Sequence, residues 1–145
     1  MGSLLTDVTA GGNIPVLEKL LAYAEAGQRM LADNIANVDN PDYKTKQLDP
    51  RLFQAALRQA LDQCPDPRAP LDIPATDQFQ LDDQGKLRVT PAETPVQNIL
   101  FHDRTNARVE QLMSQLAENV LTYNAAAQLL RGNFDSIKTA IRGQV

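Results

Sequence analysis

From Val109 to Ile141 the apolar residues of this chain fall on one stripe without a break. The stripe runs Val109, Met113, Leu116, Val120, Tyr123, Ala127, Leu130, Phe134, Ile137, Ile141, in alternating steps of four and three. An apolar repeat averaging 3.5 residues keeps one seam of an α-helix turned toward a partner along its length. The spacing therefore predicts a long helix with a long partner; an ordinary core helix of a bundle is the plainer alternative. No proline follows Pro95 to interrupt it. Gly132 falls on the face opposite the stripe, where it costs about 1 kcal/mol of helix propensity relative to alanine.

A partner of matching period lies near the other end. Leu17, Leu21, Ala24, Gln28, Leu31, Ile35 and Val38 repeat the same steps. Asn13 is placed to cap this helix, and Pro15 is tolerated in its first turn, where amide donors lack helical partners anyway. Gln28 is the polar member of the stripe and has two readings. Buried, its amide fixes the register of the pair; otherwise it marks a solvated point. Asp39-Asn40-Pro41-Asp42 is dense in turn formers, and Pro41 disfavours helix at Asn40, so the helix stops near Val38. Two such helices predict an antiparallel or side-by-side pair, with both chain ends at one end of a rod-shaped unit.

The middle of the chain reads differently. Asp49 as N-cap and Pro50 at the first helical position start a third helix over about 50–63, with Leu52, Phe53, Ala56, Leu57, Ala60 and Leu61 as its stripe. Residues 65–95 hold six of the nine prolines and read as irregular. Within them, Phe79-Gln80-Leu81 and Leu87-Arg88-Val89 flank a turn containing Gly85, a short β-hairpin over about 78–90 that needs neighbours to lie on. The expected fold class is mainly α. Residues 1–12 form a mobile leader, 13–38 with 103–143 the paired terminal helices, and 39–102 a connecting region with the third helix and the hairpin.

Chemistry is harder to find. The net charge of -4 argues against nucleic acid, whose phosphates need basic neutralisation. One cysteine, Cys64, and one histidine, His102, exclude an internal disulfide and a Cys/His zinc site. Cys64 has no basic sequence neighbours to stabilise a thiolate and reads as inert. His102 precedes the helix start at Asp103 and reads as solvated or capping. Asp82, Asp83 and Gly85 suggest a calcium loop only superficially, because the alternating ligands and the distal glutamate are missing. No phosphate-loop, dinucleotide, zinc-protease or nucleophile-elbow motif occurs. No catalytic, metal or cofactor-binding residues are expected. No stretch is long and apolar enough to span a membrane, and no basic region followed by an apolar one marks a secretion signal. Met1-Gly2-Ser3-Leu4-Leu5-Thr6 fits the loose N-myristoylation pattern, which is short enough to arise often by chance.

Residues 31–44 then narrow the field. Leu31-Ala32-Asp33-Asn34-Ile35-Ala36-Asn37-Val38-Asp39-Asn40-Pro41-Asp42-Tyr43-Lys44 resembles the N-terminal motif of bacterial flagellar rod and hook proteins, LA-x-NIAN-x-x-T-P-GYK. Leu116-Ala117-Glu118-Asn119-Val120-Leu121-Thr122-Tyr123, with Leu129-Leu130-Arg131-Gly132 and Ile137–Gly143, is similar to the proximal, B-type rod subunits of that axial family. The resemblance covers residues 14–62 and 109–143. It departs where the family's Thr-Pro-Gly-Tyr becomes Asn40-Pro41-Asp42-Tyr43, with strain at Asp42 expected if that position takes a positive φ. It departs again where the acidic lead-in to the last helix becomes Thr105-Asn106-Ala107-Arg108, which bears on partner contacts there.

The resemblance implies a structural subunit of the flagellar basal-body rod, not an enzyme. It implies a membrane-proximal position, torque transmission, and export through the flagellar type III apparatus without a cleavable signal. The implied partners are other rod subunits, self-association within the rod, and the adaptor and membrane-ring proteins at its base. Leu17, Leu21, Gln28, Leu31, Ile35, Val38, Val109, Met113, Leu116, Val120, Tyr123, Leu130, Phe134, Ile137 and Ile141 are the candidate assembly seam. Asn34, Asn37, Pro41 and Tyr43 are the motif residues. The Asn amides suit bonding to neighbouring backbones, or, equally for Asn37, the closing of their own helix; Tyr43 is placed to lay its ring on the helix with its hydroxyl available. The competing reading is a soluble helical adaptor or export chaperone that binds a partner's amphipathic helix in its seam.

Overall fold

The computed structural model describes residues 14–64, 69–93 and 103–143. Its elements in order are α1 (Ile14–Ala36), β1 (Lys46–Gln47), α2 (Pro50–Gln63), β2 (Phe79–Leu81), β3 (Leu87–Val89), β4 (Ala92–Glu93) and α3 (Asp103–Arg142). The 1–12 leader, Asn13 and His102 lie outside the described residues. The fold is mainly helical, with two small antiparallel strand pairs, β2–β3 and β1–β4.

α1 and α3 form the expected long pair. Asn119 bonds to Ala24, Leu112 clusters with Met30 and Leu31, and Ala126 joins Val16 and Leu17 in one core, so the helices run antiparallel. Their lengths differ greatly, 23 residues against 40. α1 therefore runs out near Leu130, and residues 131–142 continue for about 18 Å. Along this overhang Phe134, Ile137 and Ile141 are 44%, 45% and 79% exposed.

α2 forms where the cap chemistry places it. The Asp49 carboxylate accepts from the amides of Arg51 and Leu52, Pro50 opens the first turn, and the Cys64 amide donates to the Leu61 carbonyl at the far end. The hairpin pairs Phe79 with Val89 and Leu81 with Leu87, which puts all four on one face. Its turn is held by the Asp82 carboxylate, which accepts from the amides of Gln84 and Lys86, and Gly85 supplies the positive φ of 72°.

These pieces build a core against the first half of α1. Val16, Leu17, Phe53, Ala56, Leu57, Ala60, Leu71, Ile73, Phe79, Leu87 and Ala126 are all buried together. The Phe53 ring stacks on Tyr23 at 4.0 Å and meets Phe79 edge-on at 5.8 Å. The chain's own middle segment thus covers the first half of α1, whereas among the described residues no segment covers the overhang of α3. Leu71 and Ile73 come from the proline-rich stretch, whose irregular backbone still delivers two side chains to this core.

Burial, and behind it the Asp49 carboxylate, push the Tyr23 phenol from near 10 up to about 12. The fold therefore favours the neutral phenol. Its contribution to stability is complete below the ordinary tyrosine range and is lost as pH climbs toward 12. Alkaline unfolding followed by far-UV circular dichroism should show stability falling across that window, less steeply in Tyr23→Phe.

Candidate functional site

The motif at residues 31–44 closes on itself. Asn34 is 3% exposed, and its side chain is occupied within the chain. Its Oδ1 accepts from the Lys46 amide at 3.0 Å and from the Tyr43 hydroxyl at 3.1 Å, while its Nδ2 donates to the Lys46 carbonyl at 2.8 Å. One amide side chain thus satisfies both backbone groups of Lys46, as a neighbouring strand would. Asn37 bonds back to the Asp33 carbonyl at 2.9 Å, which is the helix-closing reading.

A turn links helix and clamp. The Tyr43 amide donates to the Asn40 carbonyl at 3.2 Å, and the Asp42 amide to the Asn40 side chain at 3.1 Å, with exposed Pro41 at the second turn position. Among the described residues only glycines have positive φ. The turn is therefore not type II, which needs a left-handed third residue, and the strain expected at Asp42 is absent. Burial raises the Tyr43 phenol pKa, with the Asp33 carboxylate as a second cause.

The clamped segment leads into β1, where Lys46 pairs with Glu93 and Gln47 with Ala92. Arg108 of α3 donates to the Thr45 hydroxyl, so the departure at the start of the last helix carries a contact within the chain. An open cleft of about 550 Å³ lies between α1, residues 45–50 and the first half of α3, with Met30, Leu31, Leu48, Leu112, Gln115 and Asn119 among its walls. Asn34→Ala removes all three bonds of the clamp. The expected loss is about 1–3 kcal/mol by chemical denaturation, with faster amide exchange at Lys46.

The stripe residues are distributed unequally. Leu17 and Leu31 are buried in the helix pair; Leu21, Ile35, Val38, Val109, Leu116, Val120, Tyr123 and Leu130 are half-buried. Gln28 is exposed, which is the solvated of its two readings. Met113, Phe134, Ile137 and Ile141 are exposed apolar side chains. The inner faces also include residues the apolar repeat passes over: Gly27, Asn34 and Leu112 are buried, and half-buried Asn119 donates to the Ala24 carbonyl at 2.7 Å. Gly27 permits that approach, since a Cβ there would lie 3.1 Å from the Asn119 Oδ1.

Among the described residues no helix is long and apolar enough to cross a membrane, and no three metal-binding side chains gather. No protein-family profile and no solved structure matches the chain. The flagellar basal body rod protein FlgB of Bacillus subtilis (strain 168) is 31% identical over 136 residues, covering 91% of this chain and 95% of that protein. Identity over nearly the whole of both chains, with a motif folded as a clamp and a long helix pair, places this chain in the FlgB family of flagellar basal-body rod proteins, which are structural rather than enzymatic.

Proposed function

We propose that this rod subunit sits at the membrane-proximal end of the flagellar rod and assembles through its terminal helices, transmitting torque from the membrane ring. The observation that carries this reading is the bare end of α3. Phe134, Ile137 and Ile141 are exposed apolar side chains that project past the last described turn of α1. Ordering one residue costs roughly 1–2 kcal/mol of backbone entropy, and an overhang whose apolar side chains stay about half or more exposed offsets little of it. Neighbouring subunits supply the missing burial, so ordering of this end is coupled to assembly. Other rod subunits, further copies of this chain, and the adaptor and ring proteins at the rod base are the partners. Delivery is through the flagellar type III export apparatus, without a cleavable signal.

Amide exchange tests the coupling. Residues 131–142 should exchange within the fraying limit in the free chain, and at least a hundredfold more slowly in assembled rods. The α1–α2–hairpin core should be protected in both states. Equal protection of the overhang in the two states rejects the reading.

A further inference from the structure

We infer that Asn119 is a positioning residue: with Gly27 it fixes the register of α3 on α1, and so decides how much of α3 projects. The apolar pattern alone leaves this choice open. Leu17, Ala24 and Leu31 are spaced by heptads on α1, and Leu112, Asn119 and Ala126 are spaced by heptads on α3. In the observed register Ala126 joins the cluster of Leu17, Asn119 bonds to Ala24, and Leu112 clusters with Leu31. A slip of one heptad keeps both stripes facing each other, so apolar matching discriminates weakly between registers.

Asn119 breaks that degeneracy in two ways. Its Nδ2 donates to the Ala24 carbonyl at 2.7 Å, and its Oδ1 lies 3.1 Å from the Cβ position of Gly27, an approach that a side chain there would crowd. A slip in one direction sets Asn119 against Leu17 and Leu20; in the other it meets Leu31 and Asn34. No glycine stands at those places, and the amide would be pressed on leucine with its bond to Ala24 lost. Arg108 also ties α3 to Thr45, but through one bond from a long, flexible side chain, with no close approach that would exclude another register. The consequence for the rod rests on the proposed function: shifting α3 by a heptad changes the projecting end by about 10 Å.

The register is measurable on the free full-length chain. Spin labels at Ala32→Cys and Gln128→Cys, both exposed, in a Cys64→Ala background, lie far apart along the pair. A one-heptad slip changes their separation by about 10 Å. The parent should give one distance. Asn119→Leu should add a second, displaced population, raised roughly tenfold or more over the parent. Asn119→Ala, which leaves the close approach open and is the variant to read if the leucine form fails to fold, should do the same. Arg108→Ala should keep the single parental distance. One unshifted distance in Asn119→Ala at unchanged helix content overturns the inference, as does a slip in Arg108→Ala equal to that of the Asn119 variants. Because the distances are read without rods, failure of the assembly reading would leave this result standing.

Discussion

Phe134→Asp with Ile137→Asp should yield a chain that folds as the parent does and does not enter rods. Both side chains are close to half exposed on a segment of α3 with no helical partner among the described residues. Exposed substitutions of this kind usually change stability by no more than about 0.5 kcal/mol. In an assembled rod the same positions would be buried. Each loses about 1.5–3 kcal/mol of apolar burial, and each carboxylate adds a desolvation penalty of several kcal/mol. Every 1.4 kcal/mol is about tenfold in affinity, so the pair should weaken incorporation by at least roughly a thousandfold. Denaturation midpoints of the free chain and recovery of the variant in isolated basal bodies measure the two halves. Rods formed normally from the double variant would remove the overhang from assembly. Leu130→Asp is a less clean probe, because Leu130 packs on the core and its loss also strikes the fold.

The second large effect lies in the core. Phe53→Ala should cost about 3–5 kcal/mol, measured by urea or thermal unfolding. The Phe53 ring is 2% exposed and is the common neighbour of Tyr23 and Phe79. Removing it opens a cavity where α1, α2 and the hairpin meet, and none of the three can close it without moving the other two. Against a typical total of about 5–15 kcal/mol, that loss leaves a chain close to unfolding. Leu52→Ala, one residue away and 38% exposed, should cost far less. Similar losses at the two sites would mean that the ring cluster does not hold the middle segment to α1.

These two results separate what the chain builds alone from what it leaves to neighbours, and the sequence divides along a similar line. α2 was legible to the residue, because an Asp-Pro cap and a following proline act locally. The β2–β3 hairpin was legible through alternation about a glycine turn. The long helices were legible in existence and pairing, and only in part in the residues they turn to each other. A search for apolar repeats takes Met113 and Gln28 and passes over Asn119 and Gly27. Close approach of two helices needs a missing side chain and a satisfied polar one, and hydrophobic spacing records neither. The β1–β4 pair was illegible for a different reason. Two-residue strands show no alternation, and their pairing follows from the Asn34 clamp, which brings Lys46 to Glu93 from far along the chain. Asn34 itself stood out by resemblance, as an amide suited to neighbouring backbones; its three bonds lie within its own chain.

The unequal lengths of α1 and α3 carry an electrical consequence. Where antiparallel helices lie side by side, their peptide dipoles point oppositely and largely cancel. Past Leu130 no other described helix opposes α3, so among the described residues the partial negative charge of its C-terminal turn is not cancelled. Arg142 sits in that last turn, and the Lys138–Asp135 pair one turn earlier is neutral in sum. With Arg131 added to Arg142, the side chains of residues 131–142 sum to a formal charge of +2 against that partial negative end, so capture of the tip by a neighbour should favour an acidic surface and weaken as ionic strength rises.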